Sequence, residues 1–214
     1  LRALRVLGEA DLIAAEGVEH TRRLCRRYEI GTRVTSYNQN NRRHKEPVLL
    51  EKLRAGQRVA LVTNAGTPGI SDPGTLLIRR ALDEGIRVEA VPGACAAVAA
   101  LSAAGLRSDG FLFAGFLSSR PGRRRREIAS LAEEPRTLVF YEAPHRILAM
   151  LGDLRDVLGD REAAVARELT KVHEEILRGT PGELAEQVVG ERARGEFTVM
   201  VEGAPPQDAS EASD

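Results

Sequence analysis

Cysteine is scarce in this 214-residue chain: there are two, Cys25 and Cys95, 70 positions apart. Such a pair fits no zinc or redox spacing, and a reducing cytoplasm is the expected compartment. Long apolar runs are lacking as well. None approaches the roughly 20 residues that cross a bilayer, and no leader pattern is read at the start, so no membrane partner is expected. The histidines, at 20, 44, 145 and 173, are scattered and form no HExxH, which argues against a metal centre. There is no GxxxxGK[ST], no GxGxxG after a strand and no GxSxG. These absences exclude a P-loop, a dinucleotide fold and a serine-hydrolase elbow. Lysine is nearly missing: of 31 basic residues only Lys45, Lys52 and Lys171 are lysine.

What is present is enough for a packed core, with 43% hydrophobic residues and a length suited to one large or two small domains. The formal charge is zero, yet residues 1–126 carry ten more basic than acidic side chains and residues 127–214 ten fewer. The average therefore hides a half attractive to polyanions. Between Arg22 and Lys45 there are eight basic residues and one acid, Glu29, with Tyr28, Tyr37 and four amides interleaved. Residues 120–126 add five arginines. Planar guanidinium forks suit phosphate contacts and base stacking. An RNA-binding surface is thus expected on Arg22, Arg23, Arg26, Arg120, Arg123, Arg124, Arg125 and Arg126. The plainer reading is a composition bias on a solvated face.

Strand-like and helical patterns alternate along the chain, as in an α/β protein with largely parallel sheet. The pattern predicts a strand at Val59–Val62, a loop 63–74, a helix 75–83, a strand Ile86–Val91 and a helix Ala94–Ala104. Residues 118–126, SSRPGRRRR, read as a linker leading into a helix. Then come a strand Thr137–Tyr141, a helix from Pro144 to about Val157, and short strands at Ala163–Ala166 and Glu175–Leu177. Thr180-Pro181-Gly182-Glu183 is a capping box opening a helix to about Arg194. Phe197–Val201 is the last strand. The expected organisation is an N-terminal domain 1–117, a C-terminal domain 118–203 and a disordered acidic tail 204–214.

Two Gly/Pro loops leave strand ends where open α/β sheets bind ligands, residues 64–74 and 91–96. Eleven residues are more than a connection needs, which favours ligand binding over a plain turn capped by Ser71 or Asp72. A third segment, Ala166–Glu175, gathers Glu168, Lys171 and His173 beyond a strand. That set serves equally as acid–base chemistry or as an ion-paired turn.

Together these segments resemble the tetrapyrrole-methylase superfamily of S-adenosylmethionine-dependent methyltransferases. The resemblance is carried by LRAL (1–4), ADLIAAE (10–16), HTRRL (20–24), AGTPGISDPG (65–74), VPG (91–93) and FLFAGFL (111–117). Two further blocks, TLVFYEAPHR (137–146) and ARELTKVHEEILRGT (166–180), are similar to the ribosomal-RNA branch. The resemblance implies two α/β domains with S-adenosyl-L-methionine in the cleft between them, a homodimer, and a cytidine 2′-oxygen of 16S rRNA in the small ribosomal subunit as the acceptor. Cofactor contacts are implied for Gly66, Thr67, Pro68, Pro92, Gly93, Cys95, Ala96, Tyr141 and Ala166, and Glu168, Lys171 and His173 are the candidates for catalysis. Relatives carry an ATPIGN-type strand before LRAL, and here LRAL begins at Leu1, so the first strand of the N-terminal domain is expected to be missing. Four positions depart from the family pattern: Glu16-Gly17-Val18 replaces an acidic-Asp-Thr triplet, Ser36–Arg42 (SYNQNNR) replaces SYHEHNE, Thr63-Asn64 replaces Ser-Asp, and Cys95 replaces a common Ser. Two other readings stay open: a tetrapyrrole or diphthine-type methyltransferase, and a degenerate relative that binds RNA without methyl transfer.

Overall fold

The computed structural model describes residues 1–205; the expected tail lies almost wholly outside the described residues. Of its first residues, Ala204 is buried and its N–H donates to the Glu134 carbonyl. The chain divides into two compact units, Leu1–Cys95 and Ala96 onward.

The first unit runs α1 (Arg2–Glu9), β1 (Leu12–Ala15), α2 (Val18–Arg27), β2 (Val34–Ser36), α3 (Arg42–Arg54), β3 (Val59–Val62) and α4 (Thr75–Asp83). Its three strands are all parallel in the order β2-β1-β3. The central strand β1 is buried at every position. Alternate side chains point to opposite faces. Leu12 and Ala14 meet Tyr37, Leu49, Leu50, Leu77 and Ala81, while Ile13 and Ala15 meet Leu7 and Cys25. Apolar side chains on both faces explain why so short a strand is apolar throughout.

The strand expected at Ile86–Val91 does not form. Ile86, Val88 and Val91 are β-branched, but no ladder takes up the segment's backbone groups, and Val88 is 41% exposed. Strand propensity yields to pairing when no neighbour offers hydrogen bonds.

The second unit runs α5 (Ala96–Ala104), β4 (Phe111–Phe116), α6 (Pro121–Ala129), β5 (Thr137–Glu142), α7 (Ile147–Leu158), β6 (Ala163–Arg167), β7 (Glu175–Gly179), α8 (Pro181–Gln187), a 3-10 turn (Gly190–Ala193) and β8 (Phe197–Val201). Its sheet has the order β4-β5-β8-β6-β7. Only β4 and β5 are parallel, joined by the crossover helix α6; the other pairs are antiparallel. The largely parallel expectation therefore holds for the first unit and not for the second, where β6 and β7 form a hairpin. Thr180 and Glu183 make the expected capping box, and α8 ends at Gln187, short of Arg194.

Two boundaries are corrected. The first unit ends near Cys95 rather than Leu117, because β4 pairs with β5 and α5 buries Ala97, Ala100, Leu101 and Ala104 within the second unit. Residues 121–126 are not linker but the first turns of α6, with Pro121 at its start. Arg124 and Ile128, four apart, form the buried face of that helix.

Candidate active site

In the first unit the chemistry gathers where the strands end. The loop after β3 is wound through four residues in the left-handed region: Gly66 (φ 71°), Gly69 (83°), Ser71 (61°) and Gly74 (149°). Three glycines take such angles without a side-chain penalty; Ser71 takes one at a cost. The Thr67 hydroxyl donates to the Ala94 carbonyl at 3.2 Å, so the loop carrying Gly66, Thr67 and Pro68 meets the turn carrying Pro92, Gly93 and Cys95. No basic side chain lies between residues 63 and 74. With no cation of its own, the loop presents no like charge that would repel a positively charged sulfur.

Two departures from the family pattern meet in space. Glu16, at the end of β1, accepts from the Asn64 backbone N–H at 3.0 Å. The Asn64 side-chain oxygen occupies the space a Cβ would take at Gly17. A third departure also has a structural use. Asn38 accepts from the N–H groups of Asn40 (3.1 Å) and Asn41 (3.2 Å), and Asn41 donates to the Ser36 hydroxyl at 2.9 Å. These amides close the turn that starts α3.

Asp72, which the sequence offers only as a helix cap within the AGTPGISDPG motif, takes on a further character in the fold. It lines an open pocket of about 210 Å³ with Tyr37, Gln39, Arg42, Glu46, Pro73, Gly74, Thr75, Leu76 and Arg79. Its carboxyl oxygen lies 3.8 Å from where a Cβ would stand on Gly66. Burial, and then the charge of Glu16, push its pKa up to about 6. In the pocket wall, the Tyr37 hydroxyl donates to Glu46 at 3.0 Å, and Glu46 pairs with Arg80 at 3.6 Å. Burial, then the Glu46 carboxylate, hold the Tyr37 phenol above its usual range.

The raised Asp72 value carries a sign for stability. Ionisation is harder in the folded chain, so the destabilisation is absent below about pH 4 and complete above about pH 6. Asp72→Asn is expected to stabilise the protein at pH 8 by on the order of 1 kcal/mol, discounted for the solvent reaching a half-buried carboxyl. The gain should shrink toward pH 5 in urea denaturation; a gain independent of pH would contradict it.

In the second unit, the Tyr141 hydroxyl accepts from the Ala97 N–H at 3.1 Å, which places Tyr141 beside Ala96 at the start of α5. Its ring packs edge-on against Phe113 (4.8 Å) and Phe116 (5.7 Å). Ala166 is buried in β6 between Ile176 and Thr198. In the TLVFYEAPHR block, Arg146 pairs with the fully buried Glu142 at 3.1 Å and donates to the Leu117 carbonyl at 2.6 Å. That part of the block ties β5 to the end of β4.

Of the three candidates from 166–175, Glu168 and Lys171 meet and His173 stands apart. Lys171 bridges Glu168 and Glu196, at 2.9 Å each. The Lys171 ammonium, and then the Glu196 N–H, hold the Glu168 carboxyl below its usual range. A carboxylate held this way is a weaker proton acceptor. His173 stands exposed on the turn, and among the described residues no hydrogen bond joins it to either.

The expected RNA-facing arginines separate. On α2, Arg22, Arg23 and Arg26 are exposed while Thr21 and Cys25 face inward; Arg22 also pairs with Glu19 at 2.7 Å. On α6, Arg124 is buried against Asp153 at 2.6 Å. Arg125 binds Asp153 at 2.6 Å and Asp156 at 2.9 Å, and Arg123 binds Glu127 at 2.9 Å. Arg124 is thus corrected from an RNA contact to a core residue, placed there by the helical spacing with Ile128. Arg120 and Arg126 remain exposed. Among the described residues no three His, Cys, Asp or Glu side chains gather, and no helix is long and apolar enough to cross a membrane.

A family model for tetrapyrrole (corrin/porphyrin) methylases matches residues 1–185. The chain is 47% identical over 208 residues to a ribosomal RNA small subunit methyltransferase I of Synechocystis sp., covering 97% of this chain and 75% of that protein. It is 41% identical over 210 residues to the protein of the same name from Bacillus subtilis, covering 98% and 72%. Among solved structures, a cobalt precorrin-4 methyltransferase superposes with a TM-score of 0.69 at 20% identity, covering 94% of this chain and 87% of that one. Diphthine synthase does so with 0.69 at 15% identity, covering 94% and 83%. At these identities the solved structures speak for the fold alone.

Proposed function

Because the chain belongs to the tetrapyrrole methylase family, we propose that it transfers a methyl group from S-adenosyl-L-methionine to 16S rRNA of the small ribosomal subunit, at the 2′-oxygen of a cytidine. The observation that carries this reading is the 41–47% identity, over nearly the whole chain, to proteins named for small-subunit rRNA methylation. The methyl donor supplies an electrophilic carbon on a positively charged sulfur. Gly66, Thr67, Pro68, Pro92, Gly93 and Cys95 are its proposed contacts in the first unit, and Ala96, Tyr141 and Ala166 those in the second. The loop's lack of cations and the nearby carboxylate of Glu16 support a cationic ligand.

Transfer to a ribose hydroxyl is an in-line displacement, so holding the oxygen at near-attack distance supplies much of the rate. The exposed arginines of α2 are the proposed grip on rRNA phosphates. A cytoplasmic homodimer belongs to the same reading, on the strength of the family resemblance. The test is transfer of labelled methyl from S-adenosylmethionine to small subunits from a strain lacking the modification. Donor binding by the full chain without any transfer would leave a degenerate RNA-binding relative as the better account.

A further inference from the structure

Among the described residues each buried carboxylate has a cation. Glu46 has Arg80, Glu142 has Arg146, and Asp153 has Arg124 and Arg125. Asp72 differs: among the described residues neither an ion pair nor a hydrogen bond engages its carboxyl. A half-buried, unpaired carboxylate costs stability, and such groups are retained where they act on something outside the chain. Its position fits such a role. It follows the strained Ser71, lies against Gly66 of the proposed donor loop, and forms one wall of a pocket that Gln39, Arg42 and Arg79 also line. The pocket's volume is about 210 Å³. Its donors and acceptors suit the polar edge of a base and a flanking phosphate.

We propose that this pocket seats the target nucleoside and that Asp72 takes the proton of its ribose hydroxyl. The inference rests on the ribose-methylation reading above and assigns the proton acceptor within it. In the step, the 2′-oxygen forms the new O–C bond as the methyl–sulfur bond breaks. Sulfur keeps that electron pair and becomes a neutral thioether. The hydroxyl proton passes to the Asp72 carboxylate and later leaves to water. Gln39 and Arg42 position the base, and Arg79 meets the adjacent phosphate.

Burial is the larger cause of the raised Asp72 value, and charged and titratable groups face it from several elements. Glu16 at the end of β1 raises it; Arg42 and Glu46 from α3, Tyr37 after β2 and Arg79 from α4 share its pocket. A carboxylate titrating near pH 6 is a stronger base than an ordinary aspartate and is still ionised at pH 7.5. Glu168, held ionised by Lys171, lacks that advantage.

The experiment compares the full-length protein with Asp72→Asn and Asp72→Glu. Three readouts are needed: methyl transfer to unmodified small subunits from pH 5 to 9, calorimetric binding of S-adenosylmethionine, and filter binding of small subunits. Carbon-13 NMR of the carboxyl, with and without cytidine, reads the site directly. The expected result is that Asp72→Asn keeps both affinities within about threefold, loses at least 100-fold in kcat, and loses the rise in rate near pH 6. Asp72→Glu should recover part of kcat. Cytidine should shift the Asp72 titration. Near-wild-type turnover by Asp72→Asn with an unchanged pH profile overturns the assignment and leaves the methyltransferase reading intact. Absence of transfer by the wild-type protein overturns that reading, and this assignment with it.

Discussion

Asp153→Ala is expected to cost about 3–5 kcal/mol, because it strands the Arg124 guanidinium inside the second unit. The two side chains are 4% and 6% exposed and meet at 2.6 Å, and the same carboxylate holds Arg125. Removing one partner of such a pair leaves an uncompensated buried charge, which costs far more than the intact pair contributes. In a chain of this length the melting temperature should fall by roughly 10 °C. Joint replacement by apolar residues, Arg124→Met with Asp153→Leu, should recover most of the loss. Alanine at the exposed Arg120 or Arg126 should change stability by no more than about 0.5 kcal/mol. Urea denaturation of the set decides the matter. If Asp153→Ala were as harmless as Arg126→Ala, the arginine run would be surface after all and the placement of α6 would be wrong.

Thr67→Arg is expected to abolish S-adenosylmethionine binding, with at least a 100-fold loss of affinity by calorimetry. Two effects add. The hydroxyl that donates to the Ala94 carbonyl is lost, so the two loops lose their tie. A long cation also arrives beside Gly66, where a positively charged sulfur is proposed to sit; like charges at short range repel, and the side chain fills the space. Thr67→Ser retains the hydroxyl and should bind nearly as the wild type does. Unchanged affinity in Thr67→Arg would place the donor elsewhere in the chain. A matching loss in Thr67→Ser would point to the methyl group rather than the loop tie.

Much of this site could be read from the chain before its structure. The 63–74 loop announces itself by its Gly and Pro content. The capping box at Thr180–Glu183 is a local pattern, and it forms as read. What failed was non-local. Ile86–Val91 has strand residues but no partner, and no single segment reveals whether a ladder will take up its backbone. The boundary was misplaced because β4 follows β3 in sequence yet pairs with β5. The Arg120–Arg126 run looks uniform in one dimension. Folded into a helix, it turns Arg124 inward beside Ile128 and leaves Arg120 and Arg126 outside. Asp72 was legible as part of a loop, but not as a base. Its unusual titration comes from burial that only the assembled pocket imposes, and then from Glu16, 56 positions earlier. The amide-rich 38–41 segment, which interrupts the family pattern, closes a turn that no composition argument foresees.

The central claim is that this chain methylates the ribose of an rRNA cytidine, and nucleoside mass spectrometry tests it most directly. Small subunits lacking the modification would be incubated with the protein and deuterated S-adenosylmethionine, and their rRNA digested to nucleosides. The account predicts labelled 2′-O-methylcytidine at close to one per subunit. Label on a base carbon or nitrogen, or none in RNA from a protein that binds the donor, would contradict it.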